Sequence, residues 1–303
     1  MIKILITGSN GQLATALKHC FQNRHLQNYQ PIFVDHQQFD ITNYSRCLNF
    51  LYNYKIDYII NCAAYTAVDL AESNKTAAYQ VNSIGPGNLA KLAEKFKIKL
   101  IHFSTDYVFS ELDHANHPYL EDDPTHPINY YGETKLLGDQ NIISNLDNYV
   151  IIRAGWLYYH LGKNFFNTIH NLAKQKDRLN IVTDQIGTPT YCADLSKFVL
   201  YVIDQDLHNL STSSNYFHNI YNYSNLGECS WYDFACEIVK QSQLNCQVCP
   251  ITSDKYQTAA MRPKYSVLDK TKIINTFGYN IPTWQEALNQ CIKECDKIYV
   301  ANL

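Results

Sequence analysis

The chain has 303 residues, 46% of them hydrophobic and 17% charged, with a formal net charge of −3. That length buries a large core, the near-neutral balance excludes a basic surface for nucleic acid, and no apolar run reaches the ~18–20 residues that span a bilayer. Strand-like apolar runs at Lys3–Thr7, Pro31–Asp35, Asp57–Cys62, Ile98–Ser104 and Tyr149–Ala154 alternate with amphipathic stretches near Gln12–Gln22, Tyr44–Tyr54, Thr76–Phe96 and Tyr131–Ser144. Such alternation predicts an α/β protein built on a doubly wound parallel sheet with helices on both faces. Past residue 155 the strands shorten and turns multiply at Asp184–Thr190 and Leu210–Asn215, before helical periodicity returns at Ser230–Gln241 and Thr283–Lys297. Two lobes follow as an expectation, 1–155 and 156–303, with the smaller α/β lobe interleaved with the first. No signal peptide is expected ahead of the first strand, which points to the cytoplasm.

Ten cysteines could mislead. Cys246 and Cys249 form one C-x-x-C pair, and Cys291 and Cys295 lie a turn apart on a predicted helix. A zinc site asks for two such pairs, or one pair with histidines at ligand spacing. The cysteines therefore read as reduced, buried thiols, and no metal is expected.

The first strand breaks into Gly8-Ser9-Asn10-Gly11-Gln12-Leu13-Ala14 before the first helix begins. A glycine turn between a strand and a helix presents backbone N–H groups and a helix N-terminus to a phosphate. Gly8 permits the tight turn, Gly11 lets a pyrophosphate approach, and Ala14 allows close packing of helix on strand. The pattern G-x-x-G-x-x-A predicts a Rossmann-type dinucleotide site. Asp35 ends the second predicted strand, where a carboxylate bonds an adenosine ribose and repels a 2′-phosphate. It leans towards NADH without deciding between NADH and NADPH, and a plain turn aspartate is the competing reading. Asp40 and Ile41 open the next turn, placed to meet the adenine. After the third strand, Ala63 and Ala64 are small enough for backbone to approach a dinucleotide.

Tyr131 and Lys135 share one helix face at i and i+4, within reach of one ligand. A phenol is a poor acid at its ordinary pKa of about 10, so a neighbouring ammonium would help it protonate an alkoxide. With 24 tyrosines the spacing means little, and it occurs again at Tyr159 and Lys163. Context separates the two pairs. Tyr131 follows a sheet strand and the hydroxyl-bearing segment Ser104-Thr105-Asp106, at the sheet edge where ligands bind in open α/β folds. Tyr159 has no such segment before it.

The segment Asn61-Cys62-Ala63-Ala64-Tyr65-Thr66-Ala67-Val68-Asp69-Leu70-Ala71-Glu72 resembles the pattern N-A-A-A-Y-T-A-V-D-x-A-E. It is followed by Val81-Asn82, STDYVF at 104–109, PINYYGETK at 127–135, IRAGWLY at 152–158, NFFNTI at 164–169, DQIGTPT at 184–190 and MRPKYSVLD at 261–269. This ordered series resembles the dTDP-4-dehydrorhamnose reductases, extended short-chain dehydrogenases that reduce the 4-keto group of dTDP-4-dehydro-β-L-rhamnose to dTDP-L-rhamnose. The resemblance implies NAD(P)H in the first lobe and a nucleotide sugar in the second. It makes Tyr131 the proton donor and Lys135 its tuning and ribose-holding partner, while Thr105 polarises the carbonyl. Cofactor contacts fall on Gly11, Gln12, Leu13, Asp35, Asp40, Ile41, Ala63, Ala64, Tyr65, Tyr131 and Lys135, with Gly8 forming the turn. Substrate contacts fall on Thr105, Asp106 and Trp156, whose indole face suits a sugar ring. Arg262, in a rigid Met-Arg-Pro turn, is a candidate for the substrate diphosphate, against a structural arginine bonding loop carbonyls.

Departures accompany the match. Ala154, Gly155 and Tyr159 replace the family's usual residues beside the sugar, leaving the nucleotide base and the exact sugar open. Some bacterial relatives dimerise through magnesium held by glutamates; Ala16 and Ala193 stand at those positions and cannot ligate it, so that homodimer is not expected. Two further readings stay open: a reductase or epimerase of another nucleotide-linked 4-keto-6-deoxy sugar, and a non-catalytic regulatory relative resembling the β subunit of methionine adenosyltransferase.

Overall fold

A parallel sheet covered on both faces needs strands that are apolar on both sides, and the central strands meet that demand. In β1 (Ile2–Thr7), Ile4 and Ile6 join one buried cluster while Leu5 joins the other. The period of two repeats in β4 (Lys99–Thr105), with Ile101 and Phe103 on one face and Leu100 on the other. It recurs in β5 (Tyr149–Ala154), where Val150 and Ile152 oppose Ile151. Each such side chain contributes about 1.5–3 kcal/mol on burial.

A computed structural model describes residues 1–23, 28–109, 117–208 and 216–301. From the N-terminus, β1 is followed by α1 (Gln12–Asn23), β2 (Tyr29–Phe33), α2 (Tyr44–Asn53), β3 (Tyr58–Asn61), α3 (Val68–Ser73), α4 (Lys75–Tyr79) and α5 (Gly85–Phe96). After β4 come α6 (Tyr130–Ile143), β5, β6 (Leu157–Tyr158), α7 (Phe165–Ala173), β7 (Arg178–Val182), β8 (Ile186–Gly187), β9 (Thr190–Tyr191) and α8 (Cys192–His208). The chain ends through β10 (Asn219–Asn222), β11 (Cys229–Ser230), α9 (Trp231–Gln241), β12 (Gln247–Ile251), α10 (Thr271–Phe277) and α11 (Trp284–Ala301).

The main sheet has six strands in the order β10-β5-β4-β3-β1-β2, every pair parallel. The chain runs outward from β1 to β2 and then crosses back to β3, so the winding reverses between β1 and β3. Ligands bind at that reversal in open α/β sheets, beyond the carboxyl ends of the strands.

β10 adds the sixth strand beside β5 and α8 packs on α1, so part of the chain beyond residue 155 belongs to the same sheet and its covering layer. Two expectations need revision. The single helix expected over Thr76–Phe96 is α4 and α5 joined by a π-helical turn, Gln80–Ile84. Pro86 has no N–H for the carbonyl of Asn82, so the regular ladder gives way there. That carbonyl instead lies against Gly138, where a Cβ would sit 2.1 Å from it. The turn-rich segment expected at Asp184–Thr190 holds β8 and the start of β9, whereas Leu210–Asn215 lies outside the described residues. All ten cysteines are free thiols, six of them buried.

Candidate active site

Gly8 turns the chain out of β1 with φ +64°, a conformation that suits glycine; a Cβ there would stand 2.7 Å from the Ala63 amide nitrogen. The turn is closed by the Gly11 amide donating to the Gly8 carbonyl at 2.9 Å, and by Ser9 donating to the Val34 carbonyl at 3.1 Å. These bonds tie the ends of β1 and β2 and aim the start of α1 into a cleft of about 640 Å³. Gly11, Gln12, Leu13, Ala63, Ala64, Thr105, Asp106, Tyr131, Lys135 and Trp156 all line that cleft.

The other expected residues lie outside its lining. Gly8 forms the turn behind it. Asp35 Oδ1 accepts from the Gln37 and Gln38 amides, and Asp40 Oδ1 from the Thr42 amide and hydroxyl, so each carboxylate shapes its own turn. Ile41 is buried beneath Gly85. Tyr65 is pinned at both backbone groups by the Asn82 amide. Arg262 closes its guanidinium on the Asp69 carboxylate, Nη1 to Oδ1 at 2.5 Å and Nη2 to Oδ2 at 2.7 Å, rather than offering it to the cleft. Ala16 is buried, and Ala193 packs against the same core.

Asn129 caps α6, accepting from the Gly132 amide at 2.8 Å, and thereby sets Tyr131 in the first turn. Gly132 allows that turn to sit against the segment after β4, since a Cβ would meet the Tyr107 carbonyl at 2.3 Å. The Tyr131 phenol lines the cleft beside Thr105, whose hydroxyl donates to Asp106 Oδ1 at 3.1 Å; burial drives the phenol pKa up, Thr105 lowers it in part, and Asp106 and Asp139 raise it again. Lys135 Nζ donates to the Phe103 carbonyl at 2.6 Å and lies 3.2 Å from His102 Nε2, which draws the amine towards β4.

Sequence reasoning missed what lies under Lys135. Asn61 Oδ1 accepts from the Thr7 hydroxyl at 2.7 Å and from the Ala63 amide at 3.3 Å, which turns its Nδ2 towards His102 Nδ1 at 2.9 Å. His102 Nε2 then lies between Lys135 Nζ at 3.2 Å and Asp139 Oδ1 at 3.9 Å. Burial and the nearby Lys135 hold His102 well below its ordinary pKa, and burial lowers Lys135 to about 8, partly opposed by Asp139. Asp139 also accepts from the Ser104 hydroxyl at 2.7 Å.

Trp156 adopts φ +51°, rare for a bulky residue and found where a site demands it. Its ring stacks on Trp231 with centroids 3.4 Å apart, and Gly187 has no side chain where a Cβ would be 2.6 Å from the indole. One face of the indole is covered by Trp231, a cleft residue not anticipated. The second Tyr–Lys pair is split: Tyr159 is buried, bonded to His19 Nδ1 at 2.7 Å, whereas Lys163 is exposed and lines the cleft.

A family model described as "RmlD substrate binding domain" matches residues 2–297. The spore coat polysaccharide biosynthesis protein SpsK of Bacillus subtilis is 35% identical over 294 residues, covering 97% of this chain and 98% of that protein. A dTDP-4-dehydrorhamnose reductase of Aggregatibacter actinomycetemcomitans is also 35% identical over 294 residues, covering 95% and 97%. Among solved structures, dTDP-4-dehydrorhamnose reductase from Bacillus anthracis in complex with NADP superimposes with a TM-score of 0.88 at 34% identity, covering 97% of this chain and 100% of that one.

Proposed function

We infer that this chain, which belongs to the RmlD substrate binding domain family, reduces the 4-keto group of dTDP-4-dehydro-β-L-rhamnose to dTDP-L-rhamnose with NADPH or NADH. One arrangement carries the reading: the Thr105 and Tyr131 hydroxyl residues line the same cleft as Gly11 and the start of α1.

The residues present fit a dinucleotide. A Cβ-free turn at Gly8 precedes a helix start, and both stand at the reversal of the sheet winding. Gly11, Gln12, Leu13 and the first amides of α1 would hold its diphosphate, with Asp35, Asp40 and Ile41 towards the adenosine. Ala63, Ala64 and Tyr65 would line its path, and Lys135 would hold the nicotinamide ribose. When bound, the reduced nicotinamide supplies a hydride to carbon four of the sugar.

The protein's own groups supply the proton. Tyr131 gives its phenolic hydrogen to the oxygen on carbon four as that oxygen gains charge, and Thr105 hydrogen-bonds the same oxygen. Burial keeps the phenol protonated at neutral pH until an alkoxide, a stronger base, appears beside it. Asp106 Oδ2 is buried without a partner among the described residues, which offers an acceptor to a sugar hydroxyl. Trp156, Trp231 and Phe103 wall the cleft and exclude water.

The reading places the cofactor in the first lobe, the nucleotide sugar in the second, and the reaction in the cytoplasm, supported by ten unbridged cysteines. Among the described residues no helix is long and apolar enough to cross a membrane. The test is NADPH and NADH oxidation against dTDP-, UDP- and GDP-linked 4-keto-6-deoxy sugars, with products identified by mass and NMR. The dTDP-linked 4-keto-rhamnose should give the highest kcat/KM; preference for another base or sugar would move the assignment to another reductase, and no turnover on any would refute catalysis.

A further inference from the structure

Two stretches of the family-like pattern, Val68 to Glu72 and the Met-Arg-Pro turn, have no part in the reaction as described, yet the fold brings them together at the N-terminus of α6. On α3, Asp69 and Glu72 lie one turn apart. Glu72 Oε1 accepts from the Tyr130 amide at 2.8 Å, in the first turn of α6. Asp69 takes both terminal nitrogens of Arg262 and accepts from the Ala260 amide at 3.0 Å. Arg262 Nη1 also donates to the Ala260 carbonyl at 2.6 Å. The neighbouring Met261 carbonyl accepts from Asn129 Nδ2 at 2.8 Å, and Asn129 is the cap of α6.

The contacts close a ring: α6 to Asn129, Asn129 to the 260–262 turn, the turn through Arg262 to Asp69, and α3 through Glu72 back to α6. Inside the ring, Arg262 lies beside Tyr107, whose ring meets Tyr131 edge-on with centroids 6.1 Å apart. The Tyr107 amide in turn donates to Thr105 Oγ1 at 3.2 Å. Arg262 thus contacts the second of three consecutive links, Thr105–Tyr107–Tyr131, without lining the cleft.

We propose that Arg262, Asp69 and Glu72 form a clamp that positions Tyr131 and Thr105 for proton delivery, and that Arg262 is not the ligand of the substrate diphosphate. The proposal rests on Tyr131 being the proton donor. A bidentate Arg–carboxylate pair fixes orientation as well as distance. Proton transfer tolerates little displacement, and about 1 Å of misplacement can cost up to ~10²-fold in rate.

The experiment compares wild type with Arg262→Ala, Asp69→Ala and the double variant, and repeats Asp69→Ala in a Tyr131→Phe background, with melting temperature and both KM values measured throughout. Each single variant should lower kcat about tenfold with both KM values within about twofold, and the double variant should be no more than about twofold worse, because both changes open one clamp. In the Tyr131→Phe background, Asp69→Ala should alter the residual rate by less than about twofold. If Asp69→Ala does not fold, Asp69→Asn, which keeps size and one acceptor oxygen, carries the same comparison.

A diphosphate ligand behaves differently. Arg262→Ala would then raise KM for the sugar nucleotide, while Asp69→Ala, by freeing the guanidinium, would leave kcat intact and lower that KM; this pair of results overturns the clamp. So does a lowered melting temperature with kcat per folded molecule unchanged, or an Asp69→Ala effect equally large with and without the Tyr131 hydroxyl. Full turnover by Tyr131→Phe alone would overturn the proton-donor reading itself, and is distinguishable because no clamp residue is altered.

Discussion

Replacing Asp106 with asparagine probes the electrostatics of the cleft wall. The residue is 2% exposed, and burial lifts its pKa from 3.8 to about 6 against hydrogen bonds from Ser266 and Thr105. At roughly 1.36 kcal/mol per pH unit, that makes the charged form about 3 kcal/mol less favourable in the folded chain. Between the two values the folded chain binds more protons than the unfolded one. The contribution of this carboxyl to stability is therefore full at low pH and is lost as pH rises through about 6. His102 runs the other way: its lowered pKa means the unfolded chain takes up the proton first, so its contribution is lost as pH falls below the ordinary histidine range. Lys135, brought down to about 8, acts only at higher pH. Both are common to wild type and Asp106→Asn, so the difference between the two proteins isolates one carboxyl. Denaturant unfolding of the ligand-free proteins at about pH 4 and pH 7 should show the variant gaining about 2–3 kcal/mol on wild type across that interval. A difference that stays flat to within about 0.5 kcal/mol refutes the claim that burial dominates at Asp106.

Tyr131→Phe should lose ~10²–10⁴-fold in kcat while binding NADPH within about twofold of wild type, read by stopped-flow turnover and fluorescence titration. Tyr159→Phe should keep its turnover, since that hydroxyl is bonded to His19 in the core, and any loss should appear as about 1 kcal/mol of stability in a melt. Gly8→Ala forces a Cβ to 2.7 Å from the Ala63 amide nitrogen at positive φ; it should cost at least about 1–2 kcal/mol in unfolding free energy and weaken cofactor binding in the same titration. Asp35→Ala should narrow the ratio of kcat/KM for NADH over NADPH; an unchanged ratio would leave Asp35 as the acceptor of the Gln37 and Gln38 amides and nothing more.

The strands were legible where both faces are buried. Leu5, Leu100 and Ile151 are as apolar as their neighbours on the opposite face, so β1, β4 and β5 read as mainly apolar runs despite Lys3, His102 and Arg153. The same test fails for β10, whose Asn-Ile-Tyr-Asn sequence looks like a loop. It is an edge strand beside β5, and distant groups take up the donors of its last residue: the Asn222 amide donates to Glu121, and the Asn222 side chain to the Tyr119 carbonyl. Within the site, Tyr131 could be found because its helix, its strand and Thr105 are close in sequence. Trp231 and His102 could not, for their partners lie far along the chain or across the sheet. Arg262 is the instructive case. A rigid turn presenting a guanidinium fork was visible in the sequence, but the carboxylate that fills the fork lies 193 residues earlier.

The stacking of Trp156 on Trp231 has an optical consequence. Two of the chain's three tryptophans stand ring on ring at the mouth of the cleft, while Trp284 is buried against Phe234. Indoles this close share their excited states, so their absorption bands split and give circular dichroism of paired, opposite sign. An occupant that slides, tilts or parts the two rings changes that splitting at once. The protein thus carries an unlabelled gauge of cleft occupancy, readable before any hydride has moved.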